Sequence, residues 1–420
     1  MPVDFDPLSS AWRDDPYPRY RRLRDEAPVH RSQGSGLWSV SRYDDVLRVL
    51  KAPELFSSRA MFTLLMAGGH ETRPPLTWEL LRFLVALVLK TGLDPREFAT
   101  ARNLIAADGQ PHAQLRAIVN RGFTPRRIAA WEGRIREIVK ECMGGLRGDR
   151  PFDLIGDLAV PLPVTIIAEM IGVPGDRLGD FKRWSDLVIE STTGPGRQNR
   201  FARRYREGFI GLIRTLKRVV RDRRRHPRDD LISLIVASQE GEAGLTDREV
   251  IQFGLLLLVA GNETTTNLIG NAVAALLAHP GELRRVAADP GLVPAALEET
   301  LRWDAPVQLV FRNALADAEV GGVRIAAGET LALLLGSANR DERRFPEPDR
   351  FDVGRHPQGH LGFGFGEHFC LGASLARLEA RLALEALAPE LPRRAPSAPS
   401  ERVDSFLVRG FTHLELGRAA

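Results

Sequence analysis

Ten residues, Phe363 to Gly372 (FGFGEHFCLG), constrain this chain more than any other stretch. They set one cysteine, Cys370, in a glycine-lined loop, and a helix-forming run from Ala373 to Ala388 follows directly. Whatever fold forms must present a thiol on a tight turn at a helix N-terminus. The unpaired backbone N–H groups there favour the thiolate over the thiol. The glycines let the backbone lie close to a flat or bulky ligand.

Four readings of this loop compete. A dinucleotide loop needs G-x-G-x-x-G, but Gly364-x-Gly366 is followed at the third position by Phe369 and Gly362-x-Gly364 by Glu367. A zinc site has the right donor count in His356, His360, His368 and Cys370, at a spacing that matches no common zinc module. An inert buried thiol is the usual fate of a single cysteine, and the crowding of Phe, Gly and His around Cys370 argues against it. Haem iron needs only one protein ligand on its proximal side, which one thiolate supplies.

Most of the chain reads at helical period: Tyr20 to Glu26, Ala113 to Gly122, Ile128 to Leu146, Arg200 to Arg225, Asp247 to Ala278, Pro294 to Trp303 and Ala373 to Ala388. Asp247 is the expected N-cap of the longest, and His279-Pro280 stops it. Strand-like pieces are short: Leu37 to Ser41, Val307 to Phe311, Val323 to Ile325, Thr330 to Leu335 and Phe406 to Glu415. With no repeat and no long linker, the expectation is one mainly α domain over residues 1–420 with a small β region.

Charge and cysteine usage exclude some classes. Lys and Arg exceed Asp and Glu by 58 − 54 = +4, too little to suggest nucleic acid. The basic run Arg221 to Arg228 reads as a solvated helix end. Cys142 and Cys370 alone make no disulfide framework, which fits a reducing cytoplasm, and Cys142 reads as a buried helix position. The first twenty residues lack the pattern of a signal peptide. The apolar runs Phe253 to Ala260 and Leu80 to Leu89 are too short or too charged to span a bilayer, so no membrane is expected.

Two further motifs carry chemistry. Ala260-Gly261-Asn262-Glu263-Thr264-Thr265 puts poor helix formers inside the long apolar helix. Thr264 can bond the carbonyl of Ala260 and open the helix locally, leaving a groove for a diatomic ligand with Glu263 and Thr264 beside it. Glu299 and Arg302 lie at i, i+3 on one helix face, by itself an everyday pair.

Together these residues resemble a cytochrome P450 of the soluble bacterial kind. The signature F-x-x-G-x-x-x-C-x-G is met at Phe363, Gly366, Cys370 and Gly372, the oxygen-groove pattern at Ala260, Gly261, Glu263, Thr264 and Thr265, and E-x-x-R at Glu299 and Arg302. The resemblance runs from Asp14-Asp15-Pro16-Tyr17 to Val408-Arg409-Gly410. It implies the P450 fold, a triangular prism of helices around a buried haem b. It further implies an oxidoreductase of the monooxygenase class that hydroxylates or epoxidises a hydrophobic small molecule (steroid, terpenoid, fatty acid or polyketide) with O2 and two electrons. A peroxide-driven peroxygenase, or a haem-thiolate isomerase or dehydratase, is the alternative, and a non-enzymatic haem sensor stands last.

Residue by residue, the resemblance makes Cys370 the iron ligand, with Phe363, Gly372 and Ala260 against the haem. His112, Arg116, Arg312 and His368 become the propionate partners, although the acidic residue usual before the His is Pro111 here. Glu299, Arg302 and Arg355 become a structural network, and Glu263 and Thr264 the acid–alcohol pair that delivers protons. Leu256, Val259, Ala260, Gln308, Val310, Leu407 and Val408 become the pocket wall. The stretch between Ser58 and His112, with its apolar helix Leu80 to Lys90, is expected to roof the pocket or shape its access channel. Electrons are expected from a separate ferredoxin and its reductase, docking on Arg121, Arg126, Arg127, Arg377 and Arg381 of a monomer.

Overall fold

The computed structural model describes residues 3–12, 14–61, 77–94, 102–147, 151–192, 203–237 and 244–419. The expected run at 62–66 and the Pro74-Pro75 break lie outside them. The principal helices are α1 (Tyr17–Glu26), α2 (Tyr43–Leu50), α3 (Trp78–Thr91), α4 (Gly109–Asn120), α5 (Glu132–Cys142), α6 (Pro161–Ile171), α7 (Leu178–Thr192), α8 (Arg203–Arg225), α9 (Asp247–Ala278), α10 (Val293–Trp303) and α11 (Ala373–Leu387). The strands are β1 (Val29–Arg31), β2 (Trp38–Val40), β3 (Phe56–Ser57), β4 (Phe152–Asp153), β5 (Val310–Ala314), β6 (Ala318–Val320), β7 (Val323–Ile325), β8 (Thr330–Leu333), β9 (Arg394–Pro396), β10 (Glu401–Arg402), β11 (Phe411–His413) and β12 (Glu415–Arg418).

Helix α9 has the expected extent but a different cap. Thr246 N donates to Glu249 Oε2 at 2.8 Å, and Glu249 N donates back to Thr246 Oγ1 at 3.3 Å. This reciprocal capping box places the cap one residue before Asp247, which is the first helical residue. The expected helix from Ile128 to Leu146 is broken at Trp131 and ends in a 3-10 turn, Met143–Arg147. Cys142, at the end of α5, is half-exposed rather than buried. The expected strand at Val307 starts only at Val310. Val307 makes an isolated bridge to Val408, and Gln308 N donates to Leu407 O at 2.9 Å. The Phe406 to Glu415 stretch resolves into β11 and β12.

The contacts divide the chain into two compact units. The first comprises Met1–Ala60, Pro125–Pro163 and Thr264–Ala420. Its largest sheet has the order β1-β2-β8-β5-β3, with β2 and β8 parallel and Arg312 of β5 opposite Leu331 of β8. Val40, Val46, Val49, Phe56, Leu331, Leu333 and Leu361 form one buried cluster under that sheet. Burying each such side chain stabilises the fold by roughly 1.5–3 kcal/mol before entropy is charged against it. Leu361 is anchored twice, since its amide also donates to Asn339 Oδ1 at 2.6 Å. The Cys370 loop starts from that anchor. The second unit comprises Met61–Thr124 and Val164–Glu263, and contains α3, α4, α7, α8 and the first half of α9.

Candidate active site

The loop around Cys370 is closed by its own backbone. Cys370 N donates to Phe363 O at 2.9 Å, and Ala373 N donates to Cys370 O at 3.4 Å, which sets the sulfur residue just ahead of α11. Gly364 and Gly366 adopt φ of 71° and 73°, a region that side-chain-bearing residues rarely occupy. Gly362 permits a close approach, because a Cβ there would stand 2.6 Å from Leu301 O of α10. The Cβ position of Gly372 meets no atom within 4 Å, so the chain leaves open space beside the half-buried Cys370. The Arg377 guanidinium lies 4.5 Å from the centre of the Phe363 ring.

Glu299, Arg302 and Arg355 meet behind the loop. Arg302 grips Glu299 with two hydrogen bonds, Nε to Oε2 at 2.8 Å and Nη2 to Oε1 at 2.7 Å. Both side chains are fully buried. Arg355 Nε adds a third bond to Oε1 at 3.1 Å, and Asp352 N a fourth at 3.0 Å. Arg302 also donates to the carbonyls of Asn339, Pro348 and Arg350, which ties α10 to the loops leading to Cys370. Burial draws the Arg302 pKa down, opposed by the hydrogen bonds and charge of Glu299.

Arg377 and Arg381 are paired with acids and stay partly exposed. Arg377 Nε donates to Glu298 Oε1 at 2.6 Å, and His360 Nε2 lies 2.9 Å from Glu298 Oε2. Burial would raise the Glu298 carboxyl. Hydrogen bonds from His360 and Arg377 overcome it and bring the pKa down to about 2. Arg381 pairs with Glu385 at 2.8 Å and with Glu132 at 3.4 Å. His360 being committed to Glu298, the four candidate zinc donors do not gather into a ligand set.

In α9 the helix runs unbroken through Gly261 to Thr265, so the expected opening takes no form of a break. The next two hydroxyls bond partners outside the helix. Thr266 Oγ1 donates to Ala159 O at 2.8 Å, and Thr265 bonds the carboxyl of Glu379. In the second unit, Leu256 and Val259 are half-exposed and Ala260 is exposed, so they are not core residues. Glu263 is half-buried there, as is Thr264 at the start of the first unit's share of α9. His112 is buried on α4, one turn before the half-buried Arg116. In the first unit Arg312 is buried and donates to Phe311 O at 2.8 Å, while His368 Nε2 lies 3.4 Å from Glu367. Gln308, Leu407 and Val408 are brought together and buried, and Val310 is half-buried.

Two features escaped the sequence reading. Glu379 on α11 is 1% exposed, and its burial, opposed by the bond with Thr265, pushes its carboxyl up to about 8. Its position four after Leu375 and four before Ala383, both buried, was the available signal. Asp304 gathers residues distant in sequence. It accepts from Tyr17 OH at 2.5 Å and from Arg409 Nε at 2.6 Å, with Arg402 Nη1 at 3.5 Å. Burial would raise the Asp304 carboxyl, but the charges of Arg409 and Arg402 hold it below its ordinary value.

A helix-led thiol, the buried E-x-x-R network and short mixed sheets agree with the comparisons to known proteins. The family model described as Cytochrome P450 matches residues 291–388. The cytochrome P450 monooxygenase PikC of Streptomyces venezuelae is 35% identical, covering 99% of this chain and 94% of its own. The chain belongs to the cytochrome P450 family. Its P450 fold superposes on that of cytochrome P450 CYP109Q5 from Chondromyces apiculatus with a TM-score of 0.84, at 38% identity over 100% of this chain and 99% of that one. CYP109E1 from Bacillus megaterium, solved in complex with corticosterone, gives 0.81 at 32% identity over 97% and 99%.

This P450 is a monooxygenase, an oxidoreductase with one haem b per chain that works with O2, a substrate and a redox partner. The donor set fits that cofactor: one thiol where a zinc site would need four gathered ligands, and space rather than side chain beside it at Gly372. No helix among the described residues is long and apolar enough to cross a membrane.

Proposed function

We propose that this P450 hydroxylates or epoxidises an apolar small molecule of steroid, terpenoid, fatty-acid or polyketide type, held against the α9 residues just before Glu263 and Thr264. The observation that carries this is the incomplete burial of Leu256, Val259 and Ala260 on an apolar stretch of α9 where Leu255 and Leu257 are also half-exposed and Phe253 and Leu258 are buried. An apolar wall with few polar groups selects hydrophobic ligands. The corticosterone complex of CYP109E1 supports the steroid end of the range.

In this reading Cys370 holds the iron through its thiolate, with Phe363, Gly372 and Ala260 against the ring. His112, Arg116, Arg312 and His368 meet the propionates. When bound, the haem supplies the activation of dioxygen and the oxidation itself. The chain's own part is to hold and move protons. Glu263 would pass a proton to Thr264 Oγ1 as that hydroxyl gives up its own, so one proton moves through the pair and solvent reprotonates Glu263. Leu256, Val259, Gln308, Val310, Leu407 and Val408 exclude water and orient the substrate. Glu299, Arg302 and Arg355 keep the loop's base fixed. The pair at Glu263 and Thr264 favours the oxygen-dependent reaction over a peroxygenase or isomerase, which need no such relay.

Electrons come in this reading from a separate ferredoxin and its reductase. Arg121 and Arg126, both exposed, and the half-exposed Arg127 are the better docking candidates, since Arg377 and Arg381 are tied into ion pairs. The reading takes residues 1–420 as one catalytic domain, a monomer in the cytoplasm. The test is Thr264→Ala. Product per reduced nicotinamide should fall about tenfold or more, with hydrogen peroxide released instead and substrate binding kept. An unchanged yield would remove Thr264 from the relay. A panel of steroids, terpenes, fatty acids and macrolides, screened by the spin-state shift, identifies the substrate class.

A further inference from the structure

Helix α3, expected from the sequence to roof the pocket or shape its access channel, also carries an apolar face exposed to solvent. Nine large hydrophobic side chains are exposed among the described residues, and five are on this one helix: Trp78, Leu81, Val85, Val88 and Leu89. Trp78 is 71% exposed and Leu89 80%. Residues 78, 81, 85 and 88 recur at steps of three and four, so they form one stripe. At about 1.5 Å per residue the stripe is roughly 17 Å long, far short of what a membrane span needs.

The opposite face is anchored on α8. Leu87 and Thr91 are buried, and the Phe83 and Phe209 rings sit 5.6 Å apart. Arg214 Nε donates to Lys90 O at 2.9 Å, and Lys217 Nζ to Thr91 O at 2.5 Å. The helices therefore run side by side in the same direction. Arg203, Glu207, Arg214, Arg218, Arg221 and Arg225 of α8 are all exposed and recur at steps of four, seven, four, three and four. They make one stripe, and Arg214 of that stripe touches α3. Glu207 is neutralised by Arg203 at 2.9 Å, which leaves the stripe strongly basic.

We propose that α3 and the flanking arginines of α8 form a docking face for an anionic lipid surface. Trp78, Leu81, Val85, Val88 and Leu89 enter the boundary between headgroups and acyl chains, and the arginines meet the phosphates. Charge selects this occupant. A second copy of the chain would bury the apolar stripe but bring two arginine stripes together, which like-charge repulsion opposes. An uncharged surface would leave the arginines without counter-charge.

The test uses the full-length holoprotein, sedimented with vesicles of phosphatidylcholine alone or mixed with phosphatidylglycerol. Binding to the mixed vesicles should be about tenfold or more tighter, and weaken with salt. The double substitution Val85→Glu, Leu89→Glu should remove binding while the reduced carbon monoxide absorption band persists, showing an intact haem site. The double substitution Arg218→Glu, Arg221→Glu should weaken binding to the mixed vesicles only. Absence of vesicle binding overturns the proposal, as does equal binding by wild type and the Val85/Leu89 variant. Analytical ultracentrifugation without lipid gives the remaining outcomes. A monomer supports a lipid occupant. A dimer that the Val85/Leu89 variant abolishes assigns the face to a second copy and overturns it.

Discussion

Glu299 on α10 and Glu379 on α11 are buried carboxylates of the same unit, and their surroundings are opposite. Glu299 accepts four hydrogen bonds, three of them from the guanidinium groups of Arg302 and Arg355. Glu379 has the Thr265 hydroxyl, and its Oε1 finds no hydrogen-bond partner among the described residues. Desolvation penalises both anions. At Glu299 two cations offset it, so the ion pairs become a rivet. At Glu379 a single hydroxyl offsets it only in part, so the group keeps its proton at neutral pH. Burial alone therefore does not decide what an acid does in this P450; its partners decide.

The largest effect expected from this contrast is at the rivet. Glu299→Gln leaves the buried Arg302 with no counter-charge of its own on α10, and should cost about 3–5 kcal/mol in denaturant unfolding of the holoprotein. A loss below about 1 kcal/mol would mean that the carbonyls around Arg302 suffice without Glu299.

Glu379 should show itself through pH. Its folded-state pKa, about 8, lies above the ordinary 4.5. The folded protein keeps a proton that the unfolded chain releases above pH 4.5, so stability falls as pH rises from there and levels off above 8. Between pH 6 and pH 8 the drop should be about 2 kcal/mol, and Glu379→Gln should flatten it. The same slope in both proteins would show that Glu379 ionises freely in the folded state.

The smallest effect is at Glu298, a paired acid nearer the surface. Its pKa of about 2 lies below the ordinary 4.5, so its contribution is present above pH 4.5 and is lost as pH falls toward 2. Solvent discounts the pair, and Arg377→Gln should cost about 1 kcal/mol at pH 7. The difference between the two proteins should vanish in acid unfolding near pH 2. A difference that persists there would assign the effect to packing of Arg377 on the Phe363 ring.

What could be seen in the sequence follows the range of the interactions. Periodicity gave α9 its full extent and α10 and α11 to within a residue, because their buried faces recur along one helix. Glu299 with Arg302 is an i, i+3 pair and was visible for the same reason. The ion pairs of Arg377 with Glu298 and of Arg381 with Glu132 could not be read from the sequence, because those partners come from other helices. Glu379 sits between those two arginines in a run that looks like a charged surface, and only the register of its apolar neighbours marks it as buried. The Asp304 cluster joins residues nearly three hundred positions apart along the chain, beyond any periodic signal. The apolar character of α3 was plain, but whether it faced core or solvent was not, since an apolar helix reads the same either way.

The Asp304 cluster also sets an order of events in the life of the chain. Tyr17 supplies one of its hydrogen bonds and Arg409 another, and Arg409 Nη2 reaches back to Asp14 O at 2.9 Å. A nascent chain still lacking residue 409 has made Tyr17 and Asp304 but not the cation that neutralises the carboxylate between them. The Asp304 cluster of the first unit therefore stays incomplete until residue 409 has emerged from the ribosome. Its Tyr17 contribution is made long before its Arg409 contribution.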